Sequence, residues 1–71
     1  MKEIIGNLLK KENVRQNLSS LRQEIKDENA LAEALKLLAG EDELLVSFMG
    51  ADDAKTRKNA ALLIGDLHMS Q

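Results

Sequence analysis

Apolar residues return along this chain at helical spacing and nowhere in strand-like alternation. Ile4, Ile5, Leu8 and Leu9 fall at i, i+1, i+4 and i+5, which predicts a short helix over 3–10 with one apolar stripe. Val14, Leu18, Leu21 and Ile25 follow at spacings of four, three and four and predict a second helix. Ahead of it, NVRQ reads as an N-x-x-Q form of the capping box, built from Asn13 and Gln16. Asp27 is placed to cap a third helix over ENALAEALKLLA, in which Leu31, Ala34, Leu35 and Leu38 share a face and Gly40 supplies a left-handed stop. Glu41 or Asp42 opens a fourth, carrying Leu44, Leu45, Phe48 and Met49 and ending at Gly50. Asp52 or Asp53 caps a fifth that runs to about residue 68. The connections are short, and short connections make consecutive helices fold back on each other. The expected fold class is all-α, with four to five short antiparallel helices in one domain.

Composition narrows this picture. A chain of 71 residues is one domain at most, and folding at that length buries only about 60% of the surface exposed by the unfolded chain. It has no cysteine for a disulfide, and its single histidine among scattered acids makes no metal-ligand cluster, so the core must hold the fold. That core is Leu, Ile and Ala around one aromatic residue, Phe48. The net charge of −2 offers no global attraction to nucleic acid or anionic lipid. Residues 1–36 carry seven Lys/Arg against six Asp/Glu, whereas 37–71 carry three against six, so the second half is acidic. No apolar run approaches the roughly 18 residues of a membrane span. The opening MKEIIGNLLKKE lacks the long apolar region and cleavage site of a signal peptide. A soluble, cytoplasmic protein is expected.

Candidate chemistry is thin. His68 has Asp66 two residues before it, but residues two apart on a helix do not face each other. Ser19 and Ser20 have no base at helical spacing. Glu41, Asp42 and Glu43 fan around a helix start, where favourable interaction with the helix dipole explains them. Lys55, Arg57 and Lys58 form a short cationic cluster suited to phosphates, though Asp52 and Asp53 offset it and there is no aromatic companion to stack a base. No catalytic, cofactor-binding or metal-binding residue is expected.

The stretch EDELLVSFMGADDAKTRKNAALLIGDL, residues 41–67, resembles the short variant of the HEAT repeat, with its pattern D-x-D-x-x-V-R-x-x-A-A-x-x-L-G-x-L. Counted from Arg57, Asp53, Ala60, Ala61, Gly65 and Leu67 match and Ile64 takes the leucine place. Ala51 stands where the first aspartate belongs, and Thr56 replaces the valine. A fainter echo begins at Val14 and Arg15, where Leu18 takes the place of Ala60 and the Ala-Ala and Leu-Gly positions are missing.

The resemblance implies a HEAT-like α-α superhelix fragment: a degenerate or capping helical pair over 1–26, a connecting helix over 28–39 and a repeat over 41–68, standing at the N-terminal part of a longer protein. It implies that Asp53 and Arg57 form a repeat-stabilising pair. It also implies a protein-binding scaffold module without catalysis, whose partner is another protein or an adjacent repeat. The alternative is an accessory substrate-binding domain of a nucleic-acid-modifying enzyme, such as an RNA or DNA methyltransferase. Small Ala60 and Ala61 let the two repeat helices approach, and Gly65 fits a place where a neighbouring backbone comes near. On the other side of the last helix, Leu62, Gly65 and Met69 beside Lys58 form a second apolar strip. It is expected to be exposed, as a docking edge for a next repeat or for another copy of the chain.

Overall fold

The computed structural model describes residues 1–68. Among them the chain forms five helices and no strand: α1 (Lys2–Leu9), α2 (Val14–Glu24), α3 (Glu28–Leu37), α4 (Asp42–Phe48) and α5 (Ala54–His68). The fold is all-α, as the periodicity requires.

Side-chain caps set two of the five helix starts. Asp27 accepts the backbone N–H of Ala30 at 2.8 Å and starts α3. Asp53 accepts the N–H of Thr56 at 3.0 Å and its hydroxyl at 2.8 Å, and so starts α5. Beyond α3, Gly40 takes a left-handed φ of 81°, the conformation that a residue without Cβ adopts at no steric cost. Gly50 follows α4 without a left-handed φ, so the turn after that helix does not depend on a glycine.

The junction of α1 and α2 differs from the capping-box expectation. Glu12 N–H donates to the Asn7 carbonyl at 2.9 Å and Lys11 N–H to the Leu8 carbonyl at 3.0 Å. This pairing is a Schellman motif with Lys11, at φ 60°, in the place usually held by glycine. Asn13 is also left-handed, at φ 44°, and its side chain caps nothing, because a capping side chain needs the extended backbone that this tight turn denies it. Gln16 instead donates to the Ser20 hydroxyl at 3.4 Å. Asn17 ties the junction: buried on the inner face of α2, its amide donates to the carbonyls of both Glu12 and Asn13 at 3.0 Å.

Helices α1 and α2 form one antiparallel hairpin, with the Met1 ammonium 3.2 Å from Glu24 at the far end of α2. Helices α4 and α5 form another, in which Asp42 at the start of α4 and His68 at the end of α5 line the same groove. The hairpins meet through α2 and α5. Arg15 near the start of α2 lies 3.7 Å from Asp53 at the start of α5, and Arg22 later in α2 lies 3.0 Å from Asp66 late in α5. Order is kept from one pair to the next, so the two second helices run in the same direction. Helix α3 bridges the hairpins and packs against α5.

The shared core contains Ile5, Leu8, Leu18, Leu21, Ala34, Leu38, Leu45, Phe48, Ala60, Leu63 and Leu67. Leu45, Phe48, Ala60 and Leu67 are buried at the α4–α5 hairpin, with Ile64 half-buried at its edge and Leu63 fully buried behind it. No helix among the described residues is long and apolar enough to cross a membrane.

Candidate functional site

The start of α5 gathers the charged residues singled out by the sequence, in a different arrangement from the expected Asp53–Arg57 pair. The Asp53 carboxylate is occupied by both donors of Thr56 and lies next to Arg15 of α2. Arg57 turns its guanidinium back to the end of the α4–α5 turn, where Nη1 donates to the carbonyls of Ala51 at 2.6 Å and Asp52 at 2.8 Å. The physical reason is Thr56: a valine there has no hydroxyl, whereas threonine takes one carboxylate oxygen of Asp53 and leaves Arg57 to the carbonyls. The Thr56 hydroxyl and N–H, in that order, with Arg15 and Lys55 nearby, hold the Asp53 carboxyl below its ordinary pKa. The acid of the repeat-like pattern thus links two hairpins, and its arginine closes the turn within one.

Lys55 and Lys58 are exposed on α5 and form no ion pair with any described residue. Leu62 is 41% exposed, so α1 does not cover it. Gly65 has nothing within 4 Å of the position a Cβ would take; the close backbone approach expected there has no counterpart within the described chain. Met69, the third member of that strip, lies outside the described residues.

Two further large apolar side chains are exposed on α4 and at its C-cap, on the outer side of the α4–α5 hairpin. Val46 is 57% exposed and Met49 is 44% exposed. Val46 lines a shallow groove of about 230 Å³ with Asp42, Leu45, Ile64 and His68. A second groove of about 320 Å³ continues from it past Leu35, Leu38 and Leu67 toward α3. The sequence reading missed Val46, although its position on α4 opposite the Leu45–Phe48 face was readable from the helical period. His68 joins this groove rather than Asp66, whose carboxylate is taken by Arg22.

A wider recess of about 750 Å³ runs between the start of α1 and the outer face of α3, lined by Lys2, Asn29, Ala30, Ala32, Glu33, Lys36 and Leu37. Its walls mix both charges with short side chains and bring no nucleophile and base together. Searches against protein-family models, curated proteins and solved structures returned no match to this chain.

Proposed function

We propose that this chain is a protein-binding helical module of the HEAT type, with α1–α2 and α4–α5 as successive hairpins, α3 as the connecting helix and no chemistry of its own. The observation that carries the reading is the apolar outer surface of α4–α5, where Val46 and Met49 remain exposed. Large exposed apolar side chains grouped on one side of a small domain mark an interaction surface. The parallel course of α2 and α5 supports the repeat reading, because stacked hairpins of a solenoid align their equivalent helices. The buried threonine at 56 and the departure at Ala51 alter how the hairpins are tied, with Arg15 to Asp53 serving between them.

The nucleic-acid alternative has less support. Arg57 has Nη1 on two backbone carbonyls and Lys55 lies near the Asp53 carboxylate, so Lys58 alone of the cluster stands apart from any partner among the described residues. Phosphate binding by helical surfaces draws on several cations at once.

A photo-crosslinking residue placed at Val46, with one at exposed Gln23 of α2 as control, tests the reading in the cell of origin. Polypeptide adducts from position 46 and not from 23 are expected. Equal labelling from both positions overturns the assignment. So does salt-sensitive binding of transfer RNA or duplex DNA that Lys55→Glu and Lys58→Glu abolish.

A further inference from the structure

A surface that pairs with its own copy about a two-fold axis must be self-complementary: each patch has to fit the patch on the other side of the axis. The outer side of α4–α5 has this property. On this face Arg57 and Lys58 stand at one end of α5; at the other, beside His68, the first turn of α4 presents Asp42 and Glu43. Asp42, Glu43, Lys55 and Lys58 form no ion pair with any described residue, and Arg57 is bound only to uncharged carbonyls. Of the two acids near the cationic end, Asp53 is turned toward Thr56 and its charge is set against Arg15 and Lys55, while Asp52 partly offsets Arg57 and Lys58. The face is a dipole, positive at one end and negative at the other.

Its middle is small and apolar. Ala61 is the central residue of α5, counted over Ala54–His68, and it is exposed. Half-buried Ile64 lies one turn away, Gly65 has open space where a Cβ would be, and Val46 stands across the groove from Ile64.

We infer that the partner is a second copy of this chain, bound through the outer faces of two α4–α5 hairpins with the α5 helices antiparallel about Ala61. The inference rests on the interaction-module reading and names the partner. In this register Arg57 faces Gly65 of the second copy and Lys58 faces its Ile64. The Asp42 turn of each copy then lies toward Arg57 and Lys58 of the other. A fifteen-residue helix is about 22 Å long, so a face two helices wide covers roughly 400 Å² per copy. That is about 800 Å² in total, the size of a weak, transient contact rather than of a permanent dimer.

Sedimentation equilibrium of the intact chain from ~5 to ~500 µM, at low and high salt, provides the test. A dimer that weakens with salt is expected. Ala61→Glu should abolish it while the circular dichroism spectrum and melting temperature stay unchanged. Lys58→Glu and Asp42→Lys should each weaken self-association by about tenfold. Mixing these two variants should restore a dimer, because both charge contacts are then attractive. A monomer throughout, a dimer indifferent to Ala61→Glu, or no recovery on mixing overturns the inference. A monomer that still gives Val46 crosslinks to another polypeptide leaves the module reading standing, whereas a dimer with the predicted charge behaviour supports both.

Discussion

Arg22 of α2 and Asp66 of α5, forty-four residues apart, meet through Nε and Oδ2 at 3.0 Å, with side chains 31% and 38% exposed. This contact joins the first hairpin to the last near the C-terminal ends of the parallel helices. Pairs of this exposure contribute about 0.2–1 kcal/mol in double-mutant cycles. A cycle through Arg22→Ala, Asp66→Ala and the double variant, read by urea denaturation, should give a coupling in that range. A coupling near zero would mean that apolar packing alone aligns α2 with α5.

Phe48 is the sole aromatic side chain and is 6% exposed between α4 and α5. Its neighbours are aliphatic and cannot fill the volume without moving helices. Phe48→Ala should therefore cost about 3–5 kcal/mol, a large share of the total for a domain of this size. Phe48→Leu should retain most of the stability. Equal melting temperatures for both variants and the parent chain would contradict this packing.

The parts of this fold written in local signals were legible. Asp27, Gly40 and Asp53 each act on backbone within a few residues, and each marks a helix boundary where the spacing placed one. The α1–α2 junction was not readable, because Lys11 occupies a glycine's place and Asn13 adopts a left-handed conformation. Lysine does not announce that conformation, and asparagine, which adopts it more readily than most residues, is equally suited to a helix cap. The purpose of Asn17 depends on a turn geometry visible only in three dimensions. Arg15 and Arg22 find Asp53 and Asp66 through the stacking of hairpins, which no short-range pattern encodes. Of the candidate surface, Leu62 was legible from the helical wheel, whereas the Val46 groove arises only where α4 and α5 meet.

Lys11 holds a left-handed φ of 60° at the Schellman turn after α1. A side chain with a Cβ is strained there and glycine is not, so Lys11→Gly should raise stability by about 1 kcal/mol or less. Lys11→Ala keeps the strain and should not raise it. Chemical denaturation of the two variants side by side separates the backbone effect from loss of the lysine charge.

Asp53 makes stability depend on pH with a defined sign. Its folded-state pKa lies below the ordinary value, because the Thr56 hydroxyl and N–H, followed by Arg15, favour the carboxylate. Its contribution is then fully present above about pH 4, the unfolded aspartate value. It is lost as pH falls through the lower folded value. Asn at this position keeps a capping oxygen and cannot ionise. The melting temperature of Asp53→Asn should lie below that of the parent at neutral pH, and the gap should narrow in acid. A gap that does not narrow at all as pH falls below the ordinary aspartate range would show that the charge of Asp53 is not what α5 uses.

Gly65 sits inside α5 at a position where an added Cβ would meet nothing within 4 Å. In a helix interior glycine is less favourable than alanine by about 0.5–1 kcal/mol, since its backbone loses more freedom on folding. A glycine kept for close packing resists substitution, because the new methyl group strikes its neighbour. Here no neighbour among the described residues stands in the way, so Gly65→Ala should stabilise the monomeric fold by close to the full propensity difference. Denaturation at low micromolar concentration and high salt isolates that term from self-association. A gain shows that the fold of this chain makes no use of the missing Cβ. A loss would reveal a packing contact at Gly65 within the chain, and the outer side of α5 would then be occupied by its own residues and closed to a partner.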